Sequence, residues 1–480
     1  MNRKMVFYII GLIIEAEAAL LLLPFFVSLL YRESAAWSYL ITAGIAAVVG
    51  LLLILIFKTK NKVIFAKEGF VMVAFAWVAM SLIGAVPLTL TGELPSYVDA
   101  VFEIVSGFTT TGASVIGNVE GLSHGTLFWR SFSHWVGGMG VLVFVMALIP
   151  TVTDRSIHIL RAEMPGPIVG KIVPRAKQTA KILYLIYIAL TLMEVVFLLC
   201  GGLPVFDSFL LSFGTAGTGG FGIRNDSIGG YSTYVQWVIT VFMLLFGVNF
   251  NLYFLILIKR AKEIFKSQEF WTYWGIVLSC GAAICINIYP LYKNLAEVTK
   301  HAFFQVATII TTTGYSTTNY EVWPEFSKGI LLVLMFFGGC AGSTAGGLKI
   351  SRILMLFKLV RQELKHMIHT RSVSVVQFEG KKLDSATANG TLSYFALFIG
   401  GYAVIFLLLC LDQFDFTTNF TAVAACYNNV GPGFNVVGPT GNFSAFSDLS
   451  KIVLSFAMLL GRLELYPILF ALSPSTWTKK

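Results

Sequence analysis

Long apolar runs alternate with short ones along this chain, and the alternation has an order. A membrane-crossing helix needs about 20 consecutive apolar residues. Residues 5–30 and 36–57 meet that length and come first. A four-part pattern then returns four times: a full span, an apolar piece too short to cross, a glycine loop and a second full span. The first round puts spans at 70–90 and 127–149, with Tyr97–Phe108 as the short piece. The second has spans at 182–200 and 234–258, with 205–213 between them; the third has 271–291 and 329–360, with 298–310. The fourth has 392–411 and 449–472, with Phe416–Tyr427. Apolar pieces of about 10–14 residues suit re-entrant elements. Irregular backbone at membrane depth is tolerated only where protein or an aqueous cavity surrounds it, so the four loops are expected to point at a shared axis. A short helix ending at each loop would aim its partly negative C-terminus at a cation.

The loops repeat one another in sequence. Residues 109–114 read Thr-Thr-Thr-Gly-Ala-Ser and residues 311–316 read Thr-Thr-Thr-Gly-Tyr-Ser. Weaker echoes are Thr218-Gly219-Gly220-Phe221 and Asn428-Asn429-Val430-Gly431-Pro432-Gly433. With Gly112, Gly219, Gly314 and Gly431 as anchors, the spacings are 107, 95 and 117 residues. Phe102, Phe209 and Phe304 each precede their anchor by ten residues, and Phe420 precedes Gly431 by eleven. The second loop, residues 215–220, is glycine-rich enough to admit a register shifted by up to two. A motif returning at near-constant spacing marks an internal repeat. Backbone carbonyls from several strands can replace the water shell of a dehydrated cation, and glycine supplies the positive φ that such a turned-in backbone requires. The expected filter residues are therefore Thr110, Thr111 and Gly112; Thr218 and Gly219; Thr312, Thr313 and Gly314; and Asn429, Val430 and Gly431.

Composition agrees with a polytopic membrane protein. Of 480 residues, 56% are hydrophobic and 12% charged, against about 25% charged in soluble domains. The N-terminal run resembles a signal peptide but is too long and carries Glu15 and Glu17, so a retained helix is expected. The six cysteines have no metal-ligand spacing and read as packing residues. The net charge of +9 lies mainly in linkers 58–67, 151–181, 259–266 and 349–382, all on one side of a ten-span topology. The positive-inside rule makes that side cytoplasmic, with both termini. The charge is topogenic, and no nucleic-acid role is expected.

These residues resemble the Trk/Ktr/HKT superfamily of potassium transporters, of the TrkH-type pore-forming subunit. The carriers are Gly107-Phe108-Thr109-Thr110-Thr111-Gly112, Phe128-Trp129-Arg130, His134-Trp135-Val136-Gly137-Gly138-Met139-Gly140, the run 338–347 (Gly-Gly-Cys-Ala-Gly-Ser-Thr-Ala-Gly-Gly), 428–433, and Gly461-Arg462-Leu463-Glu464. The resemblance implies an all-α protein with four potassium-channel-like M1–P–M2 repeats around one pore, plus two N-terminal transmembrane helices. The corresponding division is 1–67 for the two helices, then repeats at 68–160, 176–262, 268–365 and 388–480. It also implies a homodimer in the cytoplasmic (inner) membrane and a cytoplasmic ring of regulatory subunits that bind a nucleotide, NAD or ATP/ADP. Potassium is then the transported ion, nucleotide enters only through that partner, membrane lipids surround the chain, and no group is bound covalently. Relatives that pass sodium carry Ser at the first filter glycine, so Gly112 implies potassium selectivity.

Residues 342–349 look superficially like a phosphate-binding loop but lack its Gly-Lys-Ser/Thr ending and preceding strand. The span 329–360 would be about 48 Å long as one helix, against a bilayer core of about 30 Å. A break at Gly338, Gly339, Gly342, Ser343, Thr344, Gly346 and Gly347 accounts for the excess; the resemblance makes it a gate beneath the filter, the alternative being a flexible kink. Arg462, near the middle of the last span, is expected to face the pore as a barrier to cations, the alternative being an ion pair with another helix. Glu464, two residues on, would not share its face. Glu103 and Glu194 receive no role, and His134 reads as a packing residue. The expected function is potassium uptake, not enzymatic. A sodium-coupled potassium symporter of the same fold is the alternative. A membrane enzyme on lipid-linked substrates would need convergent acids, His or a nucleophile–base pair, and the loops carry Thr, Gly and Asn instead.

Overall fold

The computed structural model describes residues 2–59, 66–140, 176–370 and 375–477. The expected span 127–149 is thus described only to residue 140, and the linker 151–181 lies mostly outside the described residues. The chain opens with an antiparallel helix pair, α1 (Arg3–Leu30) and α2 (Ala35–Ile56). The pair is close because Gly11 and Gly50 face each other: a Cβ on either would stand 3.0 Å from the other's carbonyl oxygen. Small residues allow such approach between membrane helices. The outer face of α2 leaves Ile45, Val48, Leu52 and Leu55 more than half exposed, as a lipid-facing surface would.

The first unit then follows as α3 (Ala66–Leu90), α4 (Tyr97–Phe108) and α5 (His124–Gly138). The second is α6 (Ala176–Cys200), α7 (Val205–Gly217), α8 (Thr233–Phe246) and α9 (Phe250–Leu257). The third is α10 (Gln268–Tyr292), α11 (Leu295–Ile310), α12 (Glu325–Met335) and α13 (Ile350–Ile368). A small antiparallel hairpin, β1 (Gln377–Phe378) with β2 (Lys381–Lys382), leads to the fourth unit. That unit is α14 (Ser385–Leu409), α15 (Phe416–Tyr427), α16 (Asp448–Arg462) and α17 (Tyr466–Leu472). The units close on one another. α5 packs on α7, α8 on α11, α12 on α15, and α16 on α4, so the last unit meets the first.

Six described helices are long and apolar enough to cross a membrane. Three of the expected spans are interrupted, and two of these were expected to be straight. The span 234–258 bends by 89° between α8 and α9. Gly247 ends α8, and the Asn249 side chain caps α9 by accepting from the Asn251 N–H at 2.9 Å. The span 449–472 bends by 120° between α16 and α17. Glu464 and Leu465 adopt φ of 53° and 68° there, and Pro467 starts the next helix, where its missing N–H costs nothing. Arg462 is therefore the last residue of α16 and not the centre of a span. The third interruption, between α12 and α13, lies where the glycines place it. Phe337 bridges Leu348, and the Gly338 N–H donates to the Leu348 carbonyl at 2.8 Å.

Three of the four short helices begin on a side-chain cap. Ser96 starts α4, Asn294 starts α11 and Asp415 starts α15, each accepting a backbone N–H. Asp415 accepts from the Thr418 hydroxyl and from its N–H, the latter at 3.0 Å. The hydroxyl and then the N–H of Thr418 hold this carboxyl below its ordinary range. A depressed acid contributes its full stability above its unfolded pKa and loses it as the pH falls through the lower folded value. Asp415→Ala is expected to lower the unfolding free energy by about 1 kcal/mol at neutral pH. Thermal unfolding in detergent checks this, and the difference from the parent should shrink in acid.

Candidate functional site: a ring of four loops

Each short helix ends in the same way. Thr110, Thr218, Thr312 and Asn429 have φ of 55°, 55°, 55° and 56°. Two residues later, Gly112, Gly220, Gly314 and Gly431 have φ of 81°, 76°, 85° and 102°. A β-branched residue at positive φ is uncommon and costs on the order of 1–3 kcal/mol. Hydrogen bonds back to the helix hold it there. The N–H of Thr111, Gly219, Thr313 and Val430 donates to the carbonyl of Ser106, Gly214, Thr308 and Ala425, at 2.9, 2.9, 2.8 and 2.8 Å.

This pattern corrects the second register. The glycine equivalent to Gly112, Gly314 and Gly431 is Gly220, one residue beyond the expected Gly219. Gly219 instead holds the place of Thr111, Thr313 and Val430. The helix α7 runs on to Gly217, past the expected end at 213. Phe209 misleads because it matches Phe102 and Phe304 in identity, whereas the residue ten before Gly220 is Leu210. Phe102, Phe304 and Leu210 are all fully buried.

The four loops form a closed ring through their backbones. A Cβ on Gly112 would lie 2.0 Å from the Gly219 carbonyl oxygen, and one on Gly220 1.9 Å from that of Thr313. A Cβ on Gly314 would lie 2.3 Å from the Val430 oxygen, and one on Gly431 2.7 Å from that of Thr111. Each glycine is thus pressed against the carbonyl of the next unit, and the fourth meets the first. Hydroxyls line the inner end: Thr109 and Thr111 pair at 2.8 Å, as do Thr311 and Thr313. The Asn429 amide donates to the Thr111 hydroxyl at 3.0 Å and to the Met458 carbonyl at 2.9 Å, which joins the fourth loop to the first. Outside the ring lies a cavity of about 210 Å³ lined by the four glycines. Such carbonyl dipoles, with four helix C-termini directed at them, suit a dehydrated cation. Among the described residues, no three His, Cys, Asp or Glu side chains are placed to hold a metal ion, and all six cysteines are free.

Two groups that the sequence left without a role brace the ring from behind. Glu103 and Arg130 form an ion pair at 2.7 Å, both fully buried. Glu103 also accepts from the Val115 N–H and the Ser114 hydroxyl, just past Gly112, while the Arg130 guanidinium lies 4.2 Å from the Phe221 ring centre. His134 bonds the Gly107 carbonyl at 2.8 Å through Nδ1 and accepts the Phe221 N–H at 3.3 Å through Nε2. It therefore links the first and second loops. The sequence signal was two charges inside apolar segments, but 27 residues separate them and nothing in the spacing pairs them.

Below the ring, residues 336–349 form a folded loop whose apex touches it. The Gly346 N–H donates to the Thr312 hydroxyl at 2.6 Å, and a Cβ on Gly346 would stand 2.7 Å from the Asn428 carbonyl oxygen. Gly342 and Gly347 have φ of 73° and 65°. The Ser343 hydroxyl donates to the Cys340 carbonyl within the loop, and Gly339 lies against the Gly247 carbonyl, to which the Cys340 N–H donates. The bend after α8 has thus freed carbonyls that the loop uses. Arg462 donates to the carbonyls of Thr344 at 2.8 Å, Gly137 at 2.6 Å and Gly138 at 2.7 Å. It ties the loop to the end of α5. Glu464, off the Arg462 face, pairs instead with Arg352 at 2.5 Å. Lys349, also buried, donates to the carbonyls of Ala345 and Gly346.

Removing one member of a buried pair leaves an uncompensated charge and costs about 3–5 kcal/mol. Arg130→Ala is therefore expected to lower the unfolding free energy by about that much in detergent melts. The double variant Glu103→Met/Arg130→Met should be milder than the single one.

Comparison with known proteins agrees with this architecture. A family model described as cation transport protein, TrkH, matches residues 39–276 and 292–479. The chain is 34% identical to the Trk system potassium uptake protein TrkH of Salmonella typhimurium over 99% of its own length and 100% of that protein. It is 32% identical to the Trk system potassium uptake protein TrkG of Escherichia coli K12 over 99% and 98% of the two chains. The crystal structure of the potassium transporter TrkH from Vibrio parahaemolyticus superimposes with a TM-score of 0.90, at 31% identity and with full coverage of both chains. These relatives are transporters and not enzymes. The chain belongs to the TrkH family of cation transport proteins.

Proposed function

We propose that this chain is the potassium-conducting subunit of a Trk-type uptake system. The observation that carries the reading is the closed ring of Thr111, Gly219, Thr313 and Val430 carbonyls against the glycines of neighbouring units. A potassium ion entering from the outer cavity exchanges water for these oxygens. The chain divides into two N-terminal helices and four repeats, with the filter at Thr110–Gly112, Thr218–Gly220, Thr312–Gly314 and Asn429–Gly431. The loop 336–349 is the gate. Its apex plugs the exit beneath Thr312, and its tether to α5 through Arg462 keeps a fixed positive charge below the filter. Positive charge there opposes cation passage.

The protein acts in the cytoplasmic membrane, with both termini and the basic linkers inside, as the distribution of Lys and Arg supports. It works as a homodimer with a cytoplasmic regulatory partner that binds nucleotide. The relatives belong to a Trk system, which supports a multi-component assembly.

Rubidium uptake into proteoliposomes, measured with and without sodium, tests the reading. Uptake driven by the rubidium gradient alone supports it. Strict dependence on sodium would favour a coupled symporter, and no uptake in either condition would contradict both. Gly112→Ser is expected to raise sodium flux relative to potassium, because its Cβ would displace the Gly219 carbonyl. An unchanged ratio in a folded variant would refute the filter assignment. Arg462→Ala is expected to raise basal rubidium flux severalfold with the cation preference intact, and unaltered flux would make Arg462 a structural tie only.

A further inference from the structure

The loop 336–349 is held at its two ends by one carboxylate outside it. Glu269 stands in the first turn of α10 and is 6% exposed. Its Oε1 accepts the Ala341 N–H at 2.7 Å and the Ser351 N–H at 3.0 Å. Those donors lie ten residues apart, one on the way into the loop and one in the first turn of α13. One oxygen therefore fixes the separation of the loop's two arms. Glu269 belongs to α10, a 25-residue helix outside the loop.

Glu269 is in turn reached by the hairpin that follows α13. Glu379 occupies the hairpin turn at φ 48°, between β1 and β2. Its Oε1 accepts the Glu269 N–H at 3.1 Å and the Ser267 hydroxyl at 3.1 Å. A second tie comes from Lys358 of α13, whose Nζ donates to the Gln377 carbonyl at 2.8 Å and to the Gln268 side chain. Phe378 of the hairpin is buried. The hairpin thus grips the start of α10 at Ser267 and at the Glu269 N–H, and Glu269 grips the loop. Beyond these ties the hairpin exposes Lys381 and Lys382.

We infer that Glu269 is a positioning residue that clasps the loop shut, and that the hairpin, through Glu379, is the lever that moves it. A force on the hairpin from the cytoplasmic side withdraws Glu379 from the first turn of α10. The Glu269 N–H and the capping Ser267 hydroxyl then lose their shared acceptor, the Glu269 carboxylate loses its fixed aim, and the loop's arms part. The inference rests on the reading of this loop as the gate.

The test measures rubidium and sodium flux in proteoliposomes for the full-length protein, using Glu269→Ala, Glu269→Gln, Glu379→Ala, the double variant Glu269→Ala/Glu379→Ala, and a deletion of residues 342–345. The deletion tests the gate itself, and must raise rubidium flux if the loop obstructs the pore. Glu269→Ala is expected to raise flux severalfold and Glu379→Ala by less, each with the rubidium-to-sodium ratio of the parent. Glu269→Gln keeps an acceptor oxygen and should lie closer to the parent than Glu269→Ala. The double variant should not exceed Glu269→Ala, because both changes act through one contact. If the deletion raises flux and Glu379→Ala does not, the lever is refuted while the gate stands. If a folded Glu269→Ala also matches the parent, the clasp is refuted too. Additive effects in the double variant would overturn the coupling between them. A deletion without effect removes the gate reading itself. Should Glu269→Ala fail to fold, Glu269→Gln and the half-buried Glu379→Ala carry the decision.

Discussion

Irregular backbone inside a membrane has no water to satisfy its polar groups, so every N–H it exposes needs a protein partner. In this chain the rest of the architecture follows from meeting that demand while leaving four carbonyls free. At each loop one residue takes positive φ and turns the chain back, so that the next N–H bonds to the end of the short helix. That N–H is then satisfied, and the carbonyl of the same residue faces the neighbouring unit. A glycine must follow in each unit because the neighbour's carbonyl occupies the space where a Cβ would be. Thr110, Thr218 and Thr312 stay strained because the bonds back to the helix and the ring hold the backbone on either side of them. The buried Glu103–Arg130 pair and His134 serve the same end from behind, by fixing backbone that has no solvent to rest on.

Much of this was legible in the chain. Both bounds of α4 and α15 agree with the hydropathy pattern, because the short helices lie between a cap and a positive-φ residue that the sequence displays as Ser or Asp and Thr or Asn. In three of the four loops the anchor glycine, Gly112, Gly314 or Gly431, is the one that takes positive φ. In the second it is Gly220 and not Gly219, since Gly214, Gly217, Gly219 and Gly220 offer several registers and Phe209 imitates Phe102. Only the recurrence of φ from Thr110 to Thr218 settles which glycine bears the positive angle. The bends after α8 and α16 were illegible for a different reason. Apolar residues resume after Gly247-Val248-Asn249 and after Arg462-Leu463-Glu464, so each stretch reads as one span, and the turns are set by tertiary contacts: Gly247 with the loop, and Glu464 with Arg352.

The break between α12 and α13 was legible as a cluster of glycines, but what holds it was not. Arg462 announced itself as a charge in an apolar segment. Its ligands are three backbone carbonyls from two units, and backbone carbonyls leave no mark in a sequence. Glu269 was hidden at a helix start, where an acid is ordinarily read as a partner for the helix dipole. Charges that position backbone, and not one another, are the class of interaction that sequence patterns conceal.

The central claim is that four loop carbonyls form one cation site. Anomalous diffraction from crystals grown in thallium or rubidium in place of potassium tests it most directly. The account predicts an anomalous peak on the axis of the ring, within coordinating distance of the Thr111, Gly219, Thr313 and Val430 oxygens, that is lost when sodium replaces the heavier ion. A fully occupied peak elsewhere in the protein, with the ring empty, would contradict it.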